Sequence, residues 1–484
     1  MTELSPSDTQ TGLPAPAEAR SPRNLTLLLG VACAVQFLDS MDIASVGPAL
    51  PLIQDELGIS AAALQWVVSA YALGFGGLLL LGGRLADLYD RRKLLIIWLG
   101  VFALASCAGG LADDEFVLTL ARLCKGISAG ITAPVAMAVL LDAFREESAR
   151  NKALGTFMAV AATGYSLGLV FGGALANVSW RLIFFLPGAF GLAVAVLAAF
   201  AIPGGRGDRK RGRIDILGAL TVTGSAICLV YGCSRAATDG WSDIWSVTTL
   251  IAAVVLLGLF LLVERRHPDP LVPLSIFRRP QLARANVCLL FVGAYVAFQF
   301  VLMLYYQSEL HWSPLEAGLA FLLGGVLTGG TARYAATLVT RYGAWPVATA
   351  GLAMLAAGYL VWALLVGHAP TLLIMFVQQV LGGLGFAAAF PALNIAAVGQ
   401  AREDEQGLAS GLFSTSQQIG NGIVVAFTAT ALTLGADGGL NGYRAGLWTV
   451  TGVTGAVAVL AVAGSVRYRR RDRRAPAAAA ADSR

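Results

Sequence analysis

The sequence predicts an all-α polytopic membrane protein, and three observations carry that prediction. Composition is the first: of 484 residues, 57% are hydrophobic and only 13% charged, where an ordinary soluble chain carries roughly 45–50% and about 25%. So little charge cannot cover a water-soluble globule of this length, which excludes a soluble enzyme, and a chain so apolar is not disordered. Second, apolar runs of about 20 residues, the length that spans a bilayer as a helix, recur along the whole chain. Third, arginine and lysine gather in alternate connections between those runs, as they do on the cytoplasmic side of membrane proteins.

The runs occupy roughly 25–47, 64–83, 94–112, 116–141, 153–176, 182–202, 215–233, 245–263, 285–306, 315–337, 345–366, 371–398, 407–433 and 445–466, which makes fourteen. With the N-terminus inside, the inner connections hold Arg91, Arg92 and Lys93, then Arg145, Arg150 and Lys152, and the basic stretches 206–213 and 265–284. The outer connections hold only Arg181, Arg235 and Arg444, beside acidic stretches such as Asp113-Asp114-Glu115. Both termini are therefore expected in the cytoplasm; arginine outnumbers lysine 30 to 4, and alanine and glycine abound, which fits a GC-rich bacterium with the chain in its cytoplasmic membrane. Residues 1–24 and 467–484 read as disordered tails, the second strongly basic. The six cysteines lie inside apolar runs with no CxxC pair, and the three histidines are far apart, so neither a disulfide framework nor a metal site is expected. No secretory signal peptide is visible.

Glycine and proline spacings suggest an internal repeat. Gly126 and Pro134 stand eight apart, as do Gly383 and Pro391; Gly155 and Gly164 stand nine apart, as do Gly411 and Gly420. The two copies are offset by 257 and 256 residues. A duplicated bundle of six spans follows, with one copy over 25–203, the other over 285–466, and a cytoplasmic loop plus two inserted helices over 204–284. Chance is the alternative in a chain with 56 glycines. Transporter folds are commonly built from such repeats, with substrate bound at their interface near the midplane.

Five motifs then resemble one family. After the second span comes Gly83-Arg84-Leu85-Ala86-Asp87-Leu88-Tyr89-Asp90-Arg91-Arg92-Lys93, similar to the loop G-x-L-a-D-r-x-G-r-k, with Asp90 where glycine is usual and Leu88 for a basic residue. The first span ends in Asp42-Ile43-Ala44-Ser45-Val46-Gly47-Pro48-Ala49-Leu50-Pro51, like D-x-T-I-V-N-V-A-L-P. The fourth holds Arg122-Leu123-Cys124-Lys125-Gly126, like R-x-x-Q-G with Lys125 for the glutamine. Span five has Gly155, Gly164, Gly168, Gly172 and Gly173 at the spacing of the antiporter motif G-x8-G-x3-G-P-x2-G-G, with Leu169 for its proline. Trp180-Arg181 with Phe184, Phe185 and Pro187, then Asp215 and Gly218, complete the pattern. From about residue 27 to 466 the chain resembles the major facilitator superfamily, and within it the fourteen-span drug:proton antiporters of the EmrB/QacA type. The resemblance implies two six-helix bundles plus two inserted helices, no cofactor beyond the proton gradient, a small organic substrate and protons as partners, no nucleic acid, and a monomer in the lipid bilayer.

Transport gives these residues a reason. Gly164, Gly168 and Gly172, four apart, make one smooth helix face that admits close helix approach; tight packing alone would explain any one of them. Charges inside a membrane are costly and mark function. Asp39 and Asp42 stand three apart in span one, and Arg122 and Lys125 three apart in span four, so each pair shares a helix face. Counted from the outer ends, Asp42 and Arg122 are each six residues deep, Asp39 and Lys125 each nine. If the helices adjoin, as the resemblance implies, the four make a ladder of two rungs, Asp42–Arg122 and Asp39–Lys125, with no net charge. Burial disfavours a charged carboxyl and a nearby cation favours it, so protonation could switch with the side of access. Asp42 is then the expected main proton carrier, Asp39 a second carrier or a substrate contact, and Arg122 the modulating cation; a ladder that never titrates is the alternative.

The repeat sets Gln379 opposite Arg122, and Gly382 opposite Lys125. Spans nine to fourteen hold no acid in mid-membrane, Glu309 and Glu316 lying near the outer surface, which puts proton coupling in the first bundle. Substrate contacts are expected from Gln36, Tyr71, Tyr295, Gln299, Tyr305, Gln378, Gln379, Asn394, Gln417 and Asn421, each of which also reads as an interhelical hydrogen bond. By resemblance, Gly83, Asp87, Arg91, Arg92, Asp142 and Arg145 form a cytoplasmic latch holding the bundles together; a topology signal explains the basic residues but not Asp87. The expected function is proton-coupled export of drugs, antibiotics or similar compounds by alternating access, with proton-linked uptake or export of one metabolite as the alternative. A membrane sensor or enzyme would need a nucleophile cluster, metal site or phosphate loop, and none is present in the sequence.

Overall fold

Capping and turn residues in the sequence divide the chain into helices, and the computed structural model describes residues 22–59, 61–144, 146–204, 215–267, 280–398, 406–435 and 440–481. In chain order these are α1 (Pro22–Ser45), a 3-10 turn (Gly47–Ala49), α2 (Leu50–Leu57), α3 (Ala61–Leu88), α4 (Arg91–Gly110), α5 (Glu115–Ala143), α6 (Glu147–Ala176) and α7 (Leu182–Ala201). They continue as α8 (Ile216–Asp239), α9 (Ile244–Arg266), α10 (Pro280–Cys288), α11 (Leu290–Leu304), a π-helical turn (Tyr305–Glu309) and α12 (Pro314–Leu319). The last are α13 (Leu322–Tyr342), α14 (Ala344–Leu365), α15 (Thr371–Val398), α16 (Gln406–Leu434) and α17 (Asn441–Ala481). Among the described residues nine helical segments are long and apolar enough to cross a membrane, and four shorter apolar stretches lie at Trp66–Leu79, Thr163–Ala176, Leu220–Cys233 and Gly420–Leu434.

Local chemistry explains the boundaries. Asp90 caps α4 by accepting from the Lys93 amide at 3.2 Å, which accounts for an aspartate where the family loop carries glycine. Asp114 caps α5 through Val117 N at 2.9 Å, and Ser313 opens α12 with a reciprocal capping box to Glu316. The sequence expected one span over 315–337; the structure divides it into α12 and α13, because Ser313-Pro314 starts a short helix whose end is gripped by Gln379 donating to the Ala320 carbonyl. The basic tail expected to be irregular from 467 carries helical backbone as far as Ala481; arginine and alanine both favour helix. The stretch 1–21 lies outside the described residues.

Packing follows the glycines. α6 lies along α1, and a Cβ on Gly168 would come within 2.6 Å of the Met41 carbonyl oxygen; Gly164 faces Phe37 and Ser40, and Gly172 presses on the Ser45 backbone. α5 lies against α3 in the same way, with Gly74 on Leu123 and Gly126 on Tyr71. The pairings α1 with α6 and α7, α3 with α5, and α4 with α5 and α7 recur as α11 with α16 and α17, α13 with α15, and α14 with α15 and α17. α8 packs on both α3 and α16, with Thr223 donating to the Gly77 carbonyl at 2.5 Å. Gly173 of α6 meets the backbone of Pro314 and Leu315, and Gly318 meets that of Leu169. At that end of the molecule the two halves are therefore in backbone contact.

Candidate functional site

Four charged side chains from α1 and α5 are buried together. Asp39 is 2% exposed, Asp42 1%, Arg122 1% and Lys125 0%. Asp42 accepts from both cations: Arg122 Nη1 reaches Oδ2 at 2.9 Å and Lys125 Nζ reaches Oδ1 at 2.5 Å. The Arg122 guanidinium is fixed further by Nε donating to the Val67 carbonyl at 3.0 Å and by the Tyr71 ring, 4.6 Å away. Lys125 sits between the rings of Phe102 and Phe184, each 4.8 Å from Nζ, a geometry in which the ring faces attract the ammonium.

The expected first rung, Asp42–Arg122, is present, and the second is not. Asp39 meets Thr132 instead, whose hydroxyl lies 3.4 Å from Oδ2, while Oδ1 has no hydrogen-bond partner among the described residues. The reason lies in side-chain direction. Every Cα–Cβ bond tilts toward its own helix N-terminus, and the contacts show that α1 and α5 are antiparallel. The long Lys125 chain thus leans toward the level of Arg122, while Asp39 leans the opposite way. Asp42 leans into the gap between the two cations.

A cavity of about 60 Å³ adjoins this cluster, walled by Tyr71 and Ser69 of α3, Arg122 of α5, Tyr165 of α6, Val296 of α11, and Asn421 and Val425 of α16. It lies between the two halves of the chain. Tyr71 and Arg122 belong to both the cavity and the charged cluster, and the Tyr71 hydroxyl donates to the Asp39 carbonyl at 3.3 Å.

The proposed substrate contacts divide. Tyr71 and Asn421 line the cavity. Gln299 accepts from the Tyr165 hydroxyl at 2.5 Å, and Tyr295 packs on Tyr165 and Phe386 with centroids 6.4 and 4.6 Å apart, so these two stand just behind the wall. Gln36 is turned along its own helix to Ser40 at 3.1 Å. Tyr305 belongs to a cluster with Trp362 and Tyr443, Gln379 holds the α12–α13 bend, and Gln378 is buried against Gly358. Asn394 and Gln417 are half-buried and are not among the residues lining this cavity. Sequence reasoning missed Tyr165, although it sits between two glycines of the antiporter motif. It also missed Thr132, which follows Lys125 by seven residues and so shares its helix face.

Of the antiporter glycines, Gly164, Gly168 and Gly172 form the groove that receives α1, the helix carrying both acids; Gly173 makes the contact between halves, and Gly155 faces open space. Leu169 continues α6 without a break, and its backbone lies against Gly318. In the expected latch, Arg91 pairs with Asp142 and donates to the Ala86 and Ala138 carbonyls at 2.8 and 3.2 Å. Those partners join α4 to α3 and α5 within the first half, rather than one half to the other. Gly83 has open space around it, and Arg92 lies near Gly204. The Asp87 side chain and Arg145 lie outside the described residues.

The comparisons with known proteins agree with this architecture. The family model described as Major Facilitator Superfamily matches residues 32–425 and 291–482. The chain is 34% identical over 455 residues to the puromycin resistance protein of Streptomyces alboniger, covering 90% of each. It is 33% identical over 419 residues to the cephamycin export protein of Amycolatopsis lactamdurans, covering 85% of this chain and 86% of that one. Among solved structures it resembles in fold an auto-inhibited peptide transporter of the POT family, with a TM-score of 0.67, 16% identity, and 93% and 97% coverage. The human organic anion transporter MFSD10 gives 0.63, 17% identity, and 91% and 100% coverage. With these matches and its apolar helices, the chain belongs to the Major Facilitator Superfamily, as a multi-pass membrane transporter and not an enzyme.

Proposed function

We propose that this transporter exports drugs or antibiotics from a bacterial cell in exchange for protons, as a fourteen-span chain with both termini in the cytoplasm. Residues 25–203 and 285–466 act as the two bundles, and the helices within 204–284 join them. The observation that carries the reading is Asp39, a carboxyl buried in α1 with no cation paired to it among the described residues, next to a second carboxyl that holds two. A buried charge left without a partner is expensive, so a carboxyl so placed suits a group that takes up a proton on one side and releases it on the other. Tyr71 and Arg122, shared with the cavity, give substrate and proton a common set of atoms. Their occupancies then oppose each other, as antiport needs. This revises the first assignment: Asp39 carries the proton, and Asp42 is the fixed anion between Arg122 and Lys125. The resistance and export proteins named above support drugs as the cargo.

The contact of Gly173 with Pro314 closes one end of the molecule, which the positive-inside reading makes the outer one. Substrate then enters from the cytoplasm and protons from outside, driven by about 2.3 kcal/mol per charge per 100 mV. The test is a susceptibility panel in a pump-deleted host, beginning with puromycin, cephamycin and lincomycin, with and without a protonophore. Resistance that the protonophore abolishes is expected. Resistance that survives it, or uptake into everted vesicles that needs no proton gradient, would overturn the reading.

A further inference from the structure

We infer that Lys125 is a positioning residue that occupies the second oxygen of Asp42, leaving Asp39 as the one acid of the pair that exchanges a proton. The inference rests on the proposed proton coupling and adds to it the number of protons that pass through this cluster: one per cycle.

Both Asp42 oxygens are taken, each by a different cation. The second cation exists because lysine stands where the family motif carries glutamine; with glutamine, Asp42 would face Arg122 alone. Lys125 has little freedom to leave. Phe102 of α4 and Phe184 of α7 wall its ammonium on two sides, and Phe184 is itself packed tightly on Gly109, where a Cβ would lie 2.5 Å from its ring. Arg122 is held by the Val67 carbonyl and the Tyr71 ring. Around the two acids, α1 contributes Asp39 and Asp42, α3 contributes Tyr71, and α5 contributes Arg122, Lys125 and Thr132. Among the described residues, α4 and α7 bring the Phe102 and Phe184 rings to Lys125, and α6 brings Gly164 and Gly168 against α1 and Tyr165 to the cavity wall beside Arg122. Two cations and Asp42 leave a surplus of one positive charge, which ionised Asp39 balances and protonated Asp39 does not. The proton that moves is one between water and the Asp39 carboxylate, with no other bond made or broken.

The test is infrared difference spectroscopy of the full chain in lipid, between alkaline and acidic buffer, with variants assigning the protonated-carboxyl bands. The native chain is expected to give one protonated-carboxyl band that is lost in Asp39→Asn. Lys125→Gln is expected to double that intensity, with the new half removed by Asp42→Asn, and Lys125→Arg to restore a single band. An Asp39 band that persists in Lys125→Gln without a second band overturns the role of Lys125. No Asp39 band in the native chain overturns the proton-coupling reading instead. Should Lys125→Gln fail to assemble, the neutral pair Asp42→Asn with Lys125→Gln decides the matter. It is expected to keep the full native intensity, and loss of half of it would show that Asp42 exchanges protons natively.

Discussion

Thr132 places its hydroxyl 3.4 Å from Asp39 Oδ2, in the position where spacing alone sets Lys125. Lys125 instead reaches Asp42 at 2.5 Å. The two acids of α1, three residues apart and alike in sequence, thus live in opposite surroundings: one paired with two cations, the other met, among the described residues, by a hydroxyl alone. That asymmetry gives them different roles and different responses to mutation.

Asp42→Asn strands two buried cations, and breaking a buried pair in this way costs about 3–5 kcal/mol. Asp39→Asn keeps a hydrogen-bonding partner for Thr132 and is expected to change stability by about 1 kcal/mol or less. Thermal unfolding in detergent separates them: a large drop is expected for Asp42→Asn only, and equal drops would contradict the asymmetry.

The glycine groove makes a graded prediction. Gly168→Ala sets a methyl 2.6 Å from the Met41 carbonyl oxygen, and Gly172→Ala sets one against the Ser45 backbone, so α1 must move away from α6. Gly155→Ala meets open space and gains helix propensity of about 1 kcal/mol. Efflux and thermal stability should fall for the first two, whereas Gly155→Ala should retain both.

Tyr165→Phe deletes the bond to Gln299 while keeping the ring against Tyr295. A hydrogen bond contributes about 0.5–1.5 kcal/mol, so the KM for an exported drug should rise by up to about tenfold with folding intact. An unchanged KM in proteoliposome transport of that drug would remove Tyr165 from the substrate wall.

Outside the spans, Asp243 caps α9 by accepting from the Ser246 amide at 3.0 Å and pairs with Arg235 at 3.2 Å. The Ser246 bond first, and Arg235 with it, hold its carboxyl below the ordinary 3.8. Because the folded value is the lower one, its contribution is complete above 3.8 and fades as pH falls through the folded value. Hydrogen-exchange protection at the first turn of α9, taken relative to the intrinsic rate at each pH, should hold at neutral pH and fall only in that acid range; Asp243→Ala should lose it at every pH.

Much of this was legible in the sequence because a bilayer imposes simple rules. Runs of 20 apolar residues have to be helices, and the glycine spacing of α6 already described a groove. The burial of all four charges followed from their place in apolar runs. Their pairing did not, because spacing gives depth along an axis but not the lean of a side chain, and that lean moves Lys125 and Asp39 apart. For a related reason the sequence left Tyr305 and Gln379 open between substrate contact and interhelical bond. Residue type cannot tell a polar group that faces a cavity from one that joins two helices, and Gln379 is occupied in holding the bend between α12 and α13.

The most direct measurement is proton-driven efflux by Asp39→Asn in proteoliposomes, read beside substrate exchange without a gradient. Exchange between the two sides of a drug that the native chain exports is expected to persist while an imposed pH gradient no longer drives net transport. If Asp39→Asn is still driven by the gradient at the native rate, Asp39 is not the proton carrier, and the central claim fails.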